Sequence, residues 1–249
     1  MLTPAQVQHF GARGFVVVPR FLGADEVAAY RDEAARLTNH CYEQGDLVAG
    51  WGCVVEPLGC GILDAVPERA RSSRAAYLAL RAQLSPPRLA LCTLDRFGRC
   101  ARQLLQSDRA CLLNEQYIVK PPRSPRAEFA WHQDVLYLSE PQRRHAIVSV
   151  WTPLDDVCEA NGTVLLDPFP DPARPGVYPP QDCAAATHVP AIMAAGDALF
   201  MDGRLRHCST GNASGAFRTV YMPQFSQAPI AAAGAGRGLA ALAVPLGPL

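Results

Sequence analysis

The change of pattern at residue 112 is the strongest constraint on the fold. After a helical first third, the chain becomes a series of short apolar segments separated by Pro, Gly and Asp turns, which is typical of β-strands. The predicted strands are 112–119, 129–137, 146–152, 162–167, 187–192, 198–202, 205–208 and 217–225. About eight short strands behind a helical layer predict an α+β fold with a double-stranded β-helix (jelly-roll, cupin-like) core.

The part of the chain before residue 112 has helical patterns. Thr3, Pro4 and Gln6 combine an N-cap, a proline in the first turn and a capping-box partner, so a helix is expected to begin there. Further helices are predicted from Ala24 to about His40, over 67–83 and over 86–106.

The predicted organisation is a single domain followed by a tail. The domain covers residues 1–227, with a helical layer at 1–111 and the β-helix core at 112–227, and 228–249 is an Ala/Gly/Pro-rich segment expected to be flexible. A glycine-rich loop at 41–61 is the candidate for a mobile lid, and a crossing at 168–180, in which six prolines pre-set the backbone, is expected to be a stiff rim.

Composition excludes several classes of function. The 249 residues carry no formal net charge, so nothing marks a nucleic-acid partner, and no apolar run is long enough to cross a membrane. The nine cysteines form no Cys-x-x-Cys pair, and no signal-peptide pattern opens the chain, so we expect reduced thiols in a cytoplasmic protein. A small-molecule substrate and a monomer or weak homo-oligomer are expected.

The candidate site begins with His132 and Asp134. On a strand, residues i and i+2 point to the same face, so this imidazole and carboxylate would emerge together. His-x-Asp alone is common, but His207 and Arg218 follow in later predicted strands. Two histidines and a carboxylate are the ligand set of non-haem Fe(II) oxygenases and leave positions open. Arg218 suits a carboxylate, to which Ser209 can also donate.

These residues lie within a longer series of motifs. The series is Gly14–Pro19 with Phe21-Leu22, Tyr117–Pro122, Trp131–Asp134, Trp151–Asp156, Asn161–Thr163, Gly196–Phe200, His207–Ser209 and Arg218. From about residue 8 to residue 226 the sequence resembles the phytanoyl-CoA dioxygenase family of Fe(II)/2-oxoglutarate oxygenases. One departure is that Asp167-Pro168-Phe169-Pro170 stands where the family has Pro-Gly-Ser-His, which affects the nearby loop and substrate choice.

The resemblance implies a chemistry and a set of binding residues. The cofactors would be Fe(II), 2-oxoglutarate and O2, with ascorbate as a candidate reductant, and the reaction would be hydroxylation with release of succinate and CO2. Iron would be held by His132, Asp134 and His207, and 2-oxoglutarate by Arg218, Ser209, Asn114, Gln116, Trp151 and Thr163.

Substrate contacts and rival functions stay open at this point. Phe129, Tyr137 and Phe225 are candidate substrate contacts. A cupin-type metal enzyme that does not use 2-oxoglutarate, for which Arg218 would be incidental, is one alternative. A non-catalytic binding protein that kept the fold is another, and the intact set of His132, Asp134, His207 and Arg218 argues against it.

Overall fold

The computed structural model describes residues 1–45, 53–63, 65–178, 188–230 and 242–246. Within this part of the chain, helices pack on one face of a larger antiparallel sheet, and a smaller antiparallel sheet packs on the other. The predicted α+β class, with a helical layer ahead of the strands, is confirmed.

Five α-helices lie in the described part of the chain. They are α1 (Pro4–Arg13), α2 (Ala24–Glu43), α3 (Arg74–Arg81), α4 (Pro87–Cys92) and α5 (Gly98–Leu105). The start of α1 is as predicted, because the Gln6 amide donates to Thr3 Oγ1 at 3.2 Å and the Thr3 amide donates to Gln6 Oε1 at 2.8 Å. Within the described residues, no helix combines the length and apolar character that a membrane span requires.

The two later predicted helices have more complex boundaries than the sequence suggested. The segment 67–83 is divided into a 3₁₀ turn at Glu68–Arg71 and α3, because Ser73 caps α3 by accepting from the Ala76 amide at 3.4 Å. The segment 86–106 is continuous, with a π-helical turn at Thr93–Phe97 joining α4 to α5.

The strands form two sheets with crossing connections. They are β1 (Phe15–Val18), β2 (Cys53–Val55), β3 (Cys111–Lys120), β4 (Phe129–His132), β5 (Ile147–Pro153), β6 (Val164–Asp167), β7 (Val189–Pro190), β8 (Ala198–Asp202), β9 (Arg206–Ser209), β10 (Arg218–Ser226) and β11 (Val244–Pro245). The larger sheet has the order β1-β8-β5-β10-β3-β11, with β2 also paired to β3, and the smaller has the order β4-β9-β6-β7. Neighbouring strands are distant in sequence, which is consistent with a jelly-roll core.

The larger sheet has a helix face and a cavity face. Along β10, Tyr221 and Phe225 pack into the core shared with the helices, whereas Val220 and Met222 pack into the core between the sheets. Successive side chains of a strand point to opposite faces, so this alternation sets which residues can reach a site between the sheets.

Two predicted strands are shorter in the structure. Of the segment predicted at 187–192, the described residues 188–192 form a strand at Val189–Pro190, and the strand predicted at 129–137 ends at His132. Asp134–Tyr137 is a 3₁₀ turn instead, because the Val135 amide leaves the strand direction and donates to the Gly203 carbonyl at 3.0 Å.

The candidate lid and the candidate rim are only partly described. Residues 46–52 of the glycine-rich segment lie outside the described part of the chain, as do the last two residues of the proline-rich crossing, 179–180, and residues 181–187 after it. The described residues 168–178 of that crossing form turns and bends without a helix or strand.

The prediction of a flexible tail over 228–249 is wrong for residues 242–246. Val244 is the Cα partner of Leu112 on β3, and Leu242, Val244 and Leu246 are buried in the helix-side core. The alternating apolar residues of this short segment extend the larger sheet at the edge of β3, which explains its attachment. Residues 231–241 and 247–249 lie outside the described residues.

Candidate functional site

Two histidines meet across neighbouring strands of the smaller sheet. His132 at the end of β4 is the Cα partner of His207 on β9, and the two ring centroids are 4.3 Å apart. His132 Nδ1 bonds the Ala130 carbonyl at 2.7 Å, and His207 Nδ1 bonds the Leu205 carbonyl at 3.0 Å. A carbonyl can only accept, so each Nδ1 carries the proton and each Nε2 keeps its lone pair for a ligand.

Asp134 joins the histidines from the first position of its 3₁₀ turn. Its Oδ1 atom lies 3.5 Å from His132 Nε2 and 3.8 Å from His207 Nε2. The on-strand geometry predicted for His132 and Asp134 is therefore not the one observed, but the turn still brings the carboxylate to the two imidazoles.

The second carboxylate oxygen of Asp134 is held by the larger sheet. Ser149 Oγ donates to Oδ2 at 2.5 Å, and Gln224 Nε2 donates to the same oxygen at 3.2 Å. Ser149 on β5 and Gln224 on β10 are Cα partners, and the Gln224 amide also lies 2.9 Å from Ser149 Oγ. These bonds keep Oδ1 turned towards the histidines, as outer partners do for metal ligands.

The charges of the three side chains are coupled. Burial acts to raise the pKa of Asp134, but the histidines and the Ser149 hydroxyl outweigh it and hold that pKa at about 2. Burial acts to lower the pKa of His132, yet Asp134 raises it above its ordinary value, whereas burial prevails at His207 and lowers its pKa. The site therefore offers an ionised carboxylate at neutral pH.

This set fits a divalent transition metal. Among the described residues, His132, Asp134 and His207 are the one group of three such side chains whose ligand atoms all lie within 4.8 Å of one another. Two imidazole nitrogens and one carboxylate oxygen suit Fe(II) and leave coordination positions for other ligands.

The three side chains line a cavity of about 420 Å³ between the two sheets. Four of the residues predicted to bind the co-substrate line it as well, namely Asn114, Gln116, Trp151 and Ser209. Most of the remaining wall is apolar, and it includes two of the candidate substrate contacts, Phe129 and Tyr137. The sequence thus identified much of the cavity wall.

Three other predicted residues, Thr163, Phe225 and Arg218, are not brought to the cavity wall. The Thr163 hydroxyl donates to the Ala191 carbonyl, which gives this buried side chain a structural partner. Phe225 packs in the helix-side core, because it lies one position from Gln224 and so faces the opposite side of β10.

Arg218 lies behind the wall at the start of β10. It is 1% exposed, and its guanidinium carbon lies 5.6 Å from the centre of the Trp151 ring, which lines the cavity. Its Cα partner on β3 is Lys120, whose ammonium donates to Ser209 Oγ at 2.7 Å. This end of the site therefore has two buried basic side chains.

The sequence prediction missed Ser149, Gln224 and Lys120. The signal that could have found the first two is the alternation along their own strands, because Ser149 lies two positions from Trp151 and Gln224 two positions from Met222, and both of these neighbours line the cavity. Lys120 is the single lysine of the chain, and the sequence gives no signal for its role beyond its place in the Tyr117–Pro122 motif.

The fold and the site together define a class: a jelly-roll protein with two histidines and one carboxylate on the inner wall of its sandwich. The sequence profile of the phytanoyl-CoA dioxygenase (PhyH) family matches residues 10–220, and the chain belongs to this family. No curated protein sequence matches it.

Solved structures share this fold at low identity. The non-haem alpha-ketoglutarate-dependent epimerase SnoN from nogalamycin biosynthesis is 20% identical, with 98% of this chain and 95% of that chain covered and a TM-score of 0.66. EvdO2 from Micromonospora carbonacea var. aurantiaca, complexed with 2-oxoglutarate, is 22% identical over 95% and 96%, with a TM-score of 0.62. HygX from Streptomyces hygroscopicus, with nickel and 2-oxoglutarate bound, is 17% identical over 97% and 98%, with a TM-score of 0.64.

Proposed function

We propose that this protein is an Fe(II)- and 2-oxoglutarate-dependent dioxygenase that hydroxylates an unactivated C–H bond of a small molecule. The observation that carries the proposal is the convergence of two Nε2 lone pairs and Asp134 Oδ1 at one cavity. Family membership supports it, as do similar structures that hold 2-oxoglutarate with Fe3+ or nickel. Held by these residues, iron would supply the oxidation with O2 and 2-oxoglutarate, with release of succinate and CO2 and with ascorbate as the candidate reductant.

The residues of this chain bind, orient and enclose the reactants. His132, Asp134 and His207 hold the iron, and their hydrogen bonds fix which atoms face it. Arg218 supplies a permanent positive charge for the distal carboxylate of 2-oxoglutarate, and Ser209 donates its hydroxyl to that group.

Asn114 and Gln116 supply further polar contacts. Both side chains are buried and line the cavity, and Asn114 Nδ2 and Gln116 Oε1 have no hydrogen-bond partner among the described residues. Buried polar atoms are nearly always satisfied, so an orphaned donor and acceptor facing one cavity indicate a bound group that pairs with them. We assign them to the co-substrate or to the part of the substrate beside it.

Hydroxylation is proposed as the outcome because it needs only oxygen transfer to one carbon. The similar structure of SnoN is described as an epimerase, so this fold also supports other outcomes. A cupin-type metal enzyme without 2-oxoglutarate and a non-catalytic binding protein are the alternatives, and neither would form succinate.

The substrate is proposed to be uncharged. Within the described residues, Tyr137 and Cys208 are the only ionisable side chains of the cavity wall besides the three ligands, and no Lys, Arg or Glu lines it. The single cationic side chain outside the described residues is Arg237. A buried charge without a partner is costly, so a site with this wall favours a neutral molecule with an apolar body.

An extract fractionated by charge tests both the reaction and the substrate class. A metabolite pool is separated into anion-exchange, cation-exchange and unretained fractions, and each is added to the iron-loaded enzyme with 2-oxoglutarate and ascorbate. We expect the unretained, uncharged fraction to stimulate succinate formation. Stimulation by a retained fraction alone would overturn the substrate class, and absence of any iron-dependent succinate would overturn the dioxygenase itself.

Replacing Arg218 with alanine should weaken 2-oxoglutarate binding while leaving the metal in place. Loss of a buried, charge-assisted partner costs about 2–5 kcal/mol, which corresponds to a rise in Kd of roughly 30- to several-thousand-fold. Anaerobic titration of the Fe(II) protein, followed by the metal-to-ligand absorption band, measures this Kd. The exposed Arg123→Ala serves as the control, and an unchanged Kd in Arg218→Ala would show that another group holds the carboxylate.

A further inference from the structure

Lys120, the single lysine of the chain, is fully buried at the end of β3. Its ammonium donates to Ser209 Oγ at 2.7 Å and to the Thr210 carbonyl. Both acceptors are neutral, although lysine is seldom fully buried without a charged partner. The neighbouring strand β10 contributes a permanently charged guanidinium, because Arg218 is the Cα partner of Lys120.

The Ser209 hydroxyl connects Lys120 to the cavity. Ser209 lines the cavity, whereas Lys120 lies behind it. A hydroxyl that accepts a hydrogen bond from an ammonium must direct its own proton to a different partner. The contact therefore leaves the Ser209 proton for a group inside the cavity.

We propose that Lys120 is a positioning residue for the distal carboxylate of 2-oxoglutarate, acting through Ser209 and beside Arg218. This inference rests on the proposed function. The charged ammonium holds Ser209 as a donor to the carboxylate and adds a second cation to the Arg218 end of the site. A neutral amine would instead accept the Ser209 proton and turn it away from the cavity.

The protonation state of Lys120 depends on whether the anion 2-oxoglutarate is bound. Burial and then Arg218 lower the pKa of Lys120 to about 6, against smaller opposing effects of Cys208 and Glu128. Near pH 7 the side chain is therefore mostly neutral before 2-oxoglutarate binds. An arriving carboxylate favours the charged form and raises this pKa, so Lys120 takes a proton from solvent as 2-oxoglutarate binds.

Calorimetry measures that proton directly. 2-Oxoglutarate is titrated into the anaerobic Fe(II) protein at pH 7 in two buffers with different ionisation enthalpies. We expect proton uptake approaching one per site in the wild type. 2-Oxopentanoate, which has the same chain length but lacks the distal carboxylate, should bind without uptake. Uptake of the same size with 2-oxopentanoate would overturn the proposal.

Two variants at Lys120 separate the effect of its positive charge on affinity from the proton uptake. Lys120→Met should abolish proton uptake and weaken 2-oxoglutarate about 10- to 100-fold, as expected for a lost bond from a charged donor. Lys120→Arg stays charged, so it should recover affinity without proton uptake. Unchanged affinity in a folded Lys120→Met protein, or uptake that persists in it, would refute the role.

Because the chain has one lysine, ζ-¹⁵N-lysine labelling gives a single side-chain signal even if the methionine variant fails to fold. That signal should move from the amine to the ammonium range on addition of 2-oxoglutarate, and a signal that stays in the amine range would equally refute the proposal. Wild-type protein that binds iron but not 2-oxoglutarate would instead reject the proposed function on which the inference rests.

Discussion

Replacing Asp134 with alanine is expected to release the bound iron and to slow succinate formation more than about 100-fold. The substitution removes the only anionic ligand, so two neutral imidazoles would have to hold a dication alone. It also leaves Ser149 and Gln224 without their shared acceptor. Metal analysis of the purified protein and chromatographic measurement of succinate give the two readouts.

Comparing Asp134→Ala with Ser149→Ala separates the loss of the metal ligand from the loss of the hydrogen bond that orients it. Ser149→Ala keeps all three ligand side chains but loosens the Asp134 carboxylate, so metal affinity should fall by about 10- to 100-fold, less than in Asp134→Ala. The exposed Asp171→Ala should match the wild type in both measurements. Iron retained at wild-type stoichiometry by Asp134→Ala would reject this set of residues as the metal site.

Local patterns were sufficient to predict much of the fold. The capping box at Thr3 and Gln6 forms as expected, and the predicted strand 198–202 has the observed bounds, because both depend on neighbouring residues. The attachment of residues 242–246 to β3 was not predictable in this way. It depends on a strand edge about 130 residues earlier in the chain, and five residues with a proline among them are too short a pattern to predict such a pairing.

In the candidate site, too, some features could be predicted from sequence spacing, whereas others depend on how distant strands pair. The spacing of His132, Asp134 and His207 predicted a metal-binding set that the fold does bring together, although Asp134 reaches it from a turn. The support from Ser149 and Gln224 depends on the register between β5 and β10, which a single sequence does not specify.

A second buried polar cluster lies on the opposite face of the larger sheet. Arg81 on α3 forms two bonds to Glu33 on α2, at 2.7 and 3.0 Å, and its Nε atom lies 2.7 Å from a carboxylate oxygen of Glu115 on β3. All three side chains are at most 2% exposed, so one buried cation serves two carboxylates.

Tyrosines tie this cluster to the strands that carry the site. Tyr77 and Tyr221 donate to Glu115 at 2.8 and 2.9 Å, and Tyr117 donates to Glu33. Tyr117 and Tyr221 belong to β3 and β10, whose other faces present Gln116 and Gln224 to the cavity. The cluster therefore fixes the strands on which the candidate site depends.

Replacing Arg81 with methionine is expected to lower the free energy of unfolding by about 3–5 kcal/mol. The cause is the loss of the cation while Glu33 and Glu115 stay buried, rather than the loss of packing, since methionine fills much of the arginine volume. Urea unfolding followed by circular dichroism measures the change. Arg88→Met, on the exposed face of α4, is the matched control and should leave stability within about 0.5 kcal/mol of wild type.

The pH dependence of this stability loss tests whether Arg81 acts by pairing with the two carboxylates. Burial acts to raise the pKa of Glu33, but Arg81 outweighs it and the pKa is lowered. In the wild type, the stabilisation from the ionised Glu33 is therefore present above the pKa of an unfolded glutamate, about 4.3. It is lost only as pH falls through the lower pKa of Glu33 in the folded protein. In Arg81→Met only the hydrogen bonds from Ser85 and Tyr117 still oppose burial, so the pKa of Glu33 rises above its wild-type value. The variant therefore loses stability relative to wild type as pH rises and regains it on acidification. The loss in free energy of unfolding relative to wild type should thus be smaller at pH 5 than at pH 8. Adding Glu33→Gln and Glu115→Gln to Arg81→Met should reduce this loss at pH 8. A difference that does not change with pH would mean that Arg81 stabilises the fold through packing rather than by pairing with the two carboxylates.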